Sequence, residues 1–321
     1  MNAVVSLGQL MLAAAVLLPG TGAMAGDDGI FANGFDPPPA IHVQTPQIVV
    51  GAGEAQTYCY YFLAPNTATV GIRRWTSSMA AGMHHLILFA TYDGSWNPAQ
   101  RQPPGTLTQT PCGLGDGGGF AAWLYAAHNP VQQLAFPADD GAGNPLAVEI
   151  APNQPMFLQM YIVNLTSSPI STSALVEGEA LGGAVAYTRS ATYLTNNVSL
   201  TIPPGTSNQV FERTCAVPAA TKFWWLSTRT HRFASDSRIR NAGADVVVST
   251  DWEHPAEFLA QAPGFFQFDP AGLTYRCTYD NPGTATIQSG ESEATDEACI
   301  GIGYFFPATR PALCINNIGP L

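Results

Sequence analysis

The sequence predicts an all-β protein with two β-sandwich domains. Turn-forming residues are frequent, with 31 Gly and 26 Pro among 321 residues. The apolar runs are short, turn residues separate them, and no long stretch repeats its apolar residues at helical spacing. Charged residues make up only 11% of the chain, so Ser, Thr, Asn and Gln must supply much of the polar surface. Together these features favour many short strands over helices.

The first 25 residues have the features of a secretory signal peptide. An apolar core at residues 10–18 is followed by Ala23-Met24-Ala25, which supplies the small residues of a cleavage site. The apolar core is too short to span a bilayer. We therefore expect residues 1–25 to be removed and the mature protein to be secreted or periplasmic, without a membrane span. Residues 26–40 are expected to form an exposed lead-in.

Two series of short predicted strands make up the rest of the chain. The first series begins near residue 41 and includes apolar runs at residues 48–50, 58–63, 86–90 and 156–163. The pattern restarts near residue 190 with a strand-like run at residues 198–202, which Pro203-Pro204-Gly205 ends, and it continues to Phe306. We therefore predict an N-terminal domain at residues 41–190 and a C-terminal domain at residues 191–317.

Charge and cysteine content narrow the functional classes. The net charge of −11 argues against a nucleic-acid partner and against anionic membrane surfaces, because both attract basic proteins. The six cysteines are widely spread along the sequence and include no C-x-x-C pair, a spacing unlike that of zinc sites. In an oxidising compartment, an even set of this kind favours three disulfides.

The main chemical signal is the adjacent pair His84-His85, which leads into an apolar run ending at Phe89. Neutral imidazole is the commonest metal ligand in proteins, and a buried imidazole needs a partner. Neighbouring side chains of a regular strand point to opposite faces, so both histidines can reach one metal ion only at a strand end or bulge. The preceding Ala80-Ala81-Gly82 allows such an irregular start. The alternative is a pair of unrelated polar side chains where a strand begins.

Several segments, taken in order, resemble one enzyme family. They are Gly82-Met83-His84-His85-Leu86, Leu158-Gln159-Met160-Tyr161, Ile202-Pro203-Pro204-Gly205, Arg229-Thr230-His231, and the run from Cys277 through Gly290-Glu291-Ser292 to Cys299. Over residues 43–316 the chain resembles the copper type II, ascorbate-dependent monooxygenases, the family of peptidylglycine α-hydroxylating monooxygenase and dopamine β-monooxygenase. The resemblance implies two jelly-roll-like antiparallel β-sandwich domains packed side by side, each with one copper. It also implies a solvent-filled cleft between the domains for a small-molecule or peptide ligand.

The same resemblance implies a disulfide pairing and a first copper site. The implied pairs are Cys59–Cys112, Cys215–Cys314 and Cys277–Cys299. In the first-domain site, His84 and His85 match two of the three histidine ligands, whereas Tyr161 stands at the third position. A phenolate can bind Cu(II), but tyrosine must first lose a proton whose ordinary pKa is about 10. The alternative is a core tyrosine whose hydroxyl is hydrogen-bonded.

The second-domain copper site departs further from the family. His231 matches one ligand, but Arg229 stands at the other histidine position and Ala298 at the methionine position. A guanidinium is permanently charged and opposes a second cation, and alanine lacks the thioether that suits Cu(I). We therefore predict His84, His85 and His231 as the metal-binding residues, with copper in the first site rather than the second. The residues that could compensate by type are His254, Met83 and Met160, although Glu253 beside His254 offers a charge-assisted pair instead.

These observations lead to one preferred function and two alternatives. We predict a secreted protein that binds copper weakly or at a single site and lacks the family's hydroxylase activity. The first alternative is an active copper-dependent, ascorbate-using monooxygenase that hydroxylates a small organic or peptidyl substrate. The second alternative is a hydrolase on a similar double sandwich, as in bacterial peptide N-glycosidases, with carboxylates from Asp251, Glu253, Asp296 and Glu297.

Two spatial expectations follow from the resemblance. The side chains of His84, His85 and Tyr161 should surround one point. Arg229 and His231 should lie beside Ala298, and an Asp or Glu should hold the guanidinium.

Overall fold

The described part of the chain is built from β-strands. The computed structural model describes residues 39–92, 102–109, 112–113, 121–183 and 185–320, and within them it contains 24 strands and no α-helix. The predicted fold class is confirmed, because the strands form two jelly-roll-like antiparallel β-sandwiches packed side by side. None of the described residues forms a helix that could span a lipid bilayer.

The first sandwich contains a six-stranded sheet, a five-stranded sheet and one small two-stranded sheet. Its strands are β1 (Ile41–Gln44), β2 (Ile48–Val50), β3 (Ala55–Leu63), β4 (Val70–Met79), β5 (Met83–Thr91), β6 (Leu107–Thr108), β7 (Ala121–Ala127), β8 (Val131–Ala135), β9 (Leu146–Ile150), β10 (Pro155–Val163), β11 (Ile170–Thr172), β12 (Ala174–Ala180) and β13 (Thr188–Arg189). The large sheet has the order β1-β12-β4-β9-β13, with β8 paired to β4, and the five-stranded sheet has the order β6-β3-β10-β5-β7. Strand β5, which carries the histidine pair, therefore has a neighbour on each side.

The second sandwich has a five-stranded sheet, a four-stranded sheet and a two-stranded sheet. Its strands are β14 (Ala191–Asn196), β15 (Thr201–Ile202), β16 (Thr206–Cys215), β17 (Lys222–Arg229), β18 (Ala234–Asn241), β19 (Ala244–Ser249), β20 (Glu257–Leu259), β21 (Leu273–Asn281), β22 (Ile287–Gln288), β23 (Ile300–Phe306) and β24 (Ala312–Ile315). The five-stranded sheet has the order β20-β17-β23-β14-β24, and the four-stranded sheet has the order β16-β21-β18-β19. Arg229 is the last residue of β17, at the edge that faces the first sandwich.

The central strands β17 and β23 of the five-stranded sheet in the second sandwich are buried on both faces. Strand β23 contains no exposed residue, as its uninterrupted apolar sequence indicates. Part of this sheet shares a core cluster with the first sandwich, and the rest packs against its own four-stranded partner sheet. Between the sandwiches, the ring centroid of Tyr304 lies 4.9 Å from that of Trp224 and 5.1 Å from that of Phe136. This apolar contact holds β17 and β23 against the first sandwich.

Some of the segments predicted from the sequence lie outside the residues that the structure describes. The signal peptide at residues 1–25 lies outside the described residues, as does the lead-in at residues 26–40 except for its last two residues. Among the described strands, those up to β13 pair with one another and those from β14 onward pair with one another, so the pairing changes at Ser190. The described residues from Pro39 onward form one compact unit. The boundaries at 41–190 and 191–317 therefore stay predictions.

The six cysteines form three disulfides, and these are the pairs that the family resemblance implies. They are Cys59–Cys112, Cys215–Cys314 and Cys277–Cys299. The last of these joins β21 to the residue just before β23, close to Ala298. The three disulfides indicate that the protein folds in an oxidising compartment.

Candidate functional site

The histidine pair lies on a β-bulge at the start of β5. In the pairing with β10, His85 is opposite Tyr161 and Met83 is opposite Ile162, so His84 is the extra residue on β5. The backbone turns into the strand at Gly82, which has a positive φ of 87°. A bulge breaks the regular alternation of side chains, so two consecutive residues can point toward one region. The sequence prediction of an irregular strand start is confirmed.

The two imidazoles face each other through their Nδ1 atoms. The distance from His84 Nδ1 to His85 Nδ1 is 3.1 Å. His85 is buried, with 2% of its surface exposed, whereas the side chain of His84 is 21% exposed. Tyr161 lies beside both, with its ring centroid 5.7 Å from that of His84 and 5.6 Å from that of His85. The expected group of His84, His85 and Tyr161 is therefore brought together.

The second sandwich supplies the partners of both outer nitrogens. His84 Nε2 lies 3.2 Å from Glu253 Oε1. His85 Nε2 lies 3.3 Å from Arg229 Nη1 and 3.5 Å from Glu293 Oε1. The resemblance implies a solvent-filled cleft at this place, but here the two sandwiches contact each other directly. At this point the buried side chains of His85, Arg229 and Glu293 lie between the two sandwiches.

Arg229 occupies the second-domain site together with a buried acid. Its Nη2 donates to Glu293 Oε1, and the two side chains are 8% and 2% exposed. His231 Nε2 lies 3.4 Å from the same carboxylate oxygen. Arg229 and Ala298 line one cavity. A glutamate therefore holds the guanidinium, as expected. His231 approaches the segment before Ala298, because its Nδ1 lies 3.0 Å from the backbone oxygen of Asp296.

Glu297 holds the backbone around this cluster in place. Its carboxylate accepts hydrogen bonds from the backbone N–H of His231 (2.9 Å), Phe233 (2.7 Å) and Ala298 (3.3 Å). The residue is fully buried. These bonds tie the turn after β17 to the segment before β23, so they fix the position of His231. With three backbone donors on its oxygens, Glu297 is a structural acid.

Burial lowers the pKa of three histidines, His85, His128 and His231, and raises that of two glutamates, Glu293 and Glu297. The pKa of His231 is lowered to about 3, first by burial and then by Arg229, and that of His128 is lowered to about 3 for the same two reasons. The pKa of His85 is also lowered, chiefly by burial. Burial raises the pKa of Glu293 to about 7, although Arg229 opposes this shift. The pKa of Tyr161 is raised by burial and then by Glu293, which disfavours a phenolate.

Two cavities adjoin these residues. One has a volume of about 410 Å³ and is lined by residues of the second sandwich, with Arg229 and Ala298 beside Glu291 and Asp296. The other lies between the sandwiches, has a volume of about 40 Å³, and its lining mixes aromatic rings such as Trp123 and Tyr304 with polar side chains that include His128. A small molecule fits only the larger of these two.

The first-domain residues fit a copper ion. Two nitrogen ligands about 2.0 Å from one metal ion lie about 3 Å apart, and the separation of the two Nδ1 atoms is 3.1 Å. Imidazole nitrogen is a suitable copper ligand. Within the described ranges, no three or more His, Cys, Asp or Glu side chains converge in a metal-holding group. The fit therefore rests on two histidines, with Tyr161 beside them.

The second-domain residues do not fit copper. The carboxylate of Glu293 already binds a guanidinium, which carries a permanent positive charge. His231 contributes one nitrogen, and Ala298 contributes no donor side chain. We therefore place no copper chemistry at this site.

The other candidates from the sequence have structural roles. Met160 is fully buried in the core, and Met83 pairs with Ile162 at the bulge. Glu253 pairs with His84, so the expected Glu253–His254 pair is wrong, and His254 is exposed. Asp251 accepts from the backbone N–H of residues 253 and 254, and Asp296 accepts from that of Ser292. The carboxylates proposed for a hydrolase are therefore used within the fold.

Three residues of the site are not found by sequence reasoning. Glu293 is the buried partner of Arg229. A buried cation needs an acidic partner, but that requirement alone does not identify which acid in the sequence supplies it. His128 directly follows β7, and its ring centroid lies 5.6 Å from that of His85 because β7 pairs with β5. Trp252 stacks on His84, and no sequence pattern marks it.

Comparison with known proteins supplies no basis for a fold family or a function. No protein-family model matches the chain, and no curated protein matches it. Similar solved structures include the major capsid protein P2 of bacteriophage PM2, with 7% identity, a TM-score of 0.35, and coverage of 81% of this chain and 97% of that one. Another is the Cowpea mosaic virus top component, with 8% identity, a TM-score of 0.31 and coverage of 86% and 95%.

A third similar structure is PNGase F, a glycosylasparaginase from Flavobacterium meningosepticum, with 10% identity, a TM-score of 0.33 and coverage of 83% and 94%. TM-scores this low carry no argument about activity. What the chain does must therefore be argued from its own residues.

Proposed function

We propose that this protein is an exported β-sandwich protein that binds one copper ion at His84 and His85 and lacks ascorbate-dependent hydroxylase activity. The observation that supports this most directly is the 3.1 Å separation of the two Nδ1 atoms, together with partners for both Nε2 atoms. Each imidazole is thereby oriented with one nitrogen toward the other. A bound copper would supply one-electron redox chemistry.

The binding is weak for two physical reasons. The raised pKa of Tyr161 makes its phenolate a costly third ligand. Arg229 also places a permanent positive charge 3.3 Å from His85 Nε2, which opposes a metal cation on the same ring. The poor fit of the second-domain residues to copper argues against hydroxylation, because that chemistry needs one metal for dioxygen and a separate source of the second electron. The resemblance therefore extends to the fold and to one of the two copper sites.

Export and ligand binding complete the proposal. The three disulfides support a secreted or periplasmic location. The small-molecule or peptide ligand that the resemblance implies would occupy the cavity of about 410 Å³ beside Arg229, since it is the larger of the two cavities next to the site.

Metal titration tests the proposal. Protein freed of metal with a chelator is dialysed against copper, and the bound metal is measured by elemental analysis and electron paramagnetic resonance. We expect at most one copper per wild-type chain, and none after His84→Ala or His85→Ala. His42→Ala is the matched control, because His42 is exposed and pairs with Glu177 away from the site. A wild-type chain without copper refutes the proposal.

The titration also examines the monooxygenase alternative. Two tightly bound coppers per chain, with oxygen consumption that depends on ascorbate, would favour the active copper-dependent monooxygenase. One copper that persists in both histidine variants would show that the ligands lie elsewhere.

A further inference from the structure

A small cavity between the sandwiches is bordered by polar atoms that lack hydrogen-bond partners. It has a volume of about 40 Å³ and is lined by residues of β7 and β8 on one side and of β17 and β23 on the other. Tyr304 of β23 is 1% exposed, and its hydroxyl forms no hydrogen bond with any described residue. His128 lines the same cavity directly after β7, and its buried Nδ1 also has no partner in the described part of the chain. Each sandwich thus places an unpaired polar atom at this cavity.

These atoms need a partner, because burial of a hydroxyl or an imidazole nitrogen without one destabilises the folded protein. Tyr125, which also lines the cavity, shows how the protein meets this need elsewhere. Its hydroxyl lies 2.9 Å from Ser77 Oγ and donates to the backbone oxygen of Gln132 at 2.9 Å. Within the described residues, the hydroxyl of Tyr304 has neither kind of neighbour. Its partner must therefore come from the cavity.

The size and charge of the cavity select its ligand. A water molecule needs about 10 to 15 Å³ of cavity volume, so this space holds about three waters and is too small for an organic ligand. A cation is opposed by Arg229, whose Cζ lies 5.8 Å from the ring centroid of Trp123 in the cavity wall. An anion is opposed by the carboxylate of Glu257 in the same wall. Water is neutral, and it both donates and accepts, so it can pair with a hydroxyl and with an imidazole nitrogen in either form.

We propose that this cavity is a hydration site, in which about three water molecules connect Tyr304 of the second sandwich with His128 of the first. The water supplies hydrogen bonds that neither sandwich provides. Ser227 adds an acceptor, because its hydroxyl donates its proton to the backbone oxygen of Ala256 and keeps its lone pairs. Glu257 is exposed, so the waters exchange with solvent at its side of the cavity.

A high-resolution crystal structure of the full chain, determined without added copper, tests the site directly. We expect ordered water within hydrogen-bond distance of both Tyr304 Oη and His128 Nδ1. A second crystal is pressurised with xenon, which enters cavities that are apolar and dry. We expect no xenon here, because water occupies the space. Absence of water from either atom, or a xenon atom in this cavity, overturns the proposal.

Tyr304→Phe gives a second readout, because the sign of its effect depends on whether the hydroxyl has a partner. Loss of a hydroxyl that bonds to water should raise the equilibrium constant of unfolding about fivefold, measured by urea titration. Loss of a hydroxyl without a partner should leave that constant unchanged or lower it. Phenylalanine keeps the ring that packs on Trp224, with centroids 4.9 Å apart, so the variant should fold.

Tyr193→Phe is the matched control. Tyr193 is fully buried, and its hydroxyl donates to the backbone oxygen of Ala216 at 2.6 Å. Its replacement should raise the unfolding constant whatever the cavity contains, and it therefore calibrates the loss of one hydrogen bond. A rise in Tyr304→Phe comparable to that in the control supports the hydration site, and no rise overturns it. All these measurements use protein without copper, so their outcome is independent of the proposed function.

Discussion

Replacing Arg229 with methionine tests how the second-domain cluster is held together. Methionine keeps much of the volume of the arginine side chain but removes its charge and all its hydrogen-bond donors. The change leaves Glu293 without its partner in a region where that side chain is 2% exposed. It also removes the donor that lies 3.3 Å from His85 Nε2.

The expected decrease in the free energy of unfolding has one part that is independent of pH and one part that depends on pH. Loss of the hydrogen bond to His85 costs about 1 kcal/mol. Removing one partner of a buried ion pair can cost about 3 to 5 kcal/mol, but Glu293 limits this cost by taking up a proton. Its pKa is already about 7 with Arg229 present, and loss of the arginine must raise it further. The loss therefore grows by up to about 1.4 kcal/mol per pH unit above pH 7.

The free energy of unfolding, measured by urea titration at pH 5 and pH 8, provides the assay. We expect Arg229→Met to lose about 1 kcal/mol at pH 5 and about 2.5 kcal/mol at pH 8. Adding Glu293→Gln should remove most of the pH dependence. Arg189→Met is the matched control, because Arg189 forms an exposed pair with Glu149 at 3.1 Å. Such a solvent-screened pair contributes less than about 1 kcal/mol.

Equal losses at both pH values would refute this argument. That result would mean that Glu293 has the same charge with and without the guanidinium. The cluster would then be a neutral hydrogen-bonded network, and the case for a guanidinium in place of a metal ion would lose its electrostatic basis.

Three further predictions concern acid, the bulge and the second site. As pH falls from 6.5 toward 3, His128 and His231 bind protons in the unfolded chain but not in the folded one, so the free energy of unfolding falls. Glu293 and Glu297, whose pKa values are raised in the folded protein, oppose this fall down to about pH 4.5. The urea midpoint should therefore drop steeply only below that pH. Gly82→Ala should lower the free energy of unfolding by about 1 to 2 kcal/mol in the same urea assay, because residue 82 has a positive φ and the new Cβ would meet a side chain of β11. An unchanged free energy would contradict the positive φ at this turn. Arg229→His combined with Ala298→Met should raise the copper content, measured by elemental analysis, from one toward two per chain. Unchanged copper content would show that the two missing ligands alone do not explain why the second-domain site does not fit copper.

Much of the fold could be predicted because it depends on local patterns. Short apolar runs between turn residues define the strands, and the continuous apolar sequence of β23 corresponds to a strand buried on both faces. The irregular start of β5 could be predicted because two adjacent histidines cannot share a face of a regular strand. The disulfide pairs followed from the resemblance, not from the spacing of the cysteines.

The rest of the site depends on contacts between distant segments. His85 meets Arg229 across 144 positions, and His84 meets Glu253 across 169. No local pattern encodes such contacts, since they arise from how the two sandwiches pack. In the sequence, Glu293 is one of four acids between residues 291 and 297, and only its 2% exposure in the folded protein distinguishes it.

The position of Arg229 explains how the two predicted copper sites become one polar cluster. Glu293 is buried among neutral histidines, and a buried carboxylate needs a cation or a proton. In the related arrangement that the resemblance implies, a metal ion would supply positive charge at this place. Here the chain supplies it covalently, so the second sandwich needs no metal to neutralise its acid. The guanidinium also reaches His85, and its position requires the two sandwiches to be in contact at the site. On the proposed function, the side chain that takes the place of the second copper therefore also joins the two sandwiches at this point, through Glu293 on one side and His85 on the other.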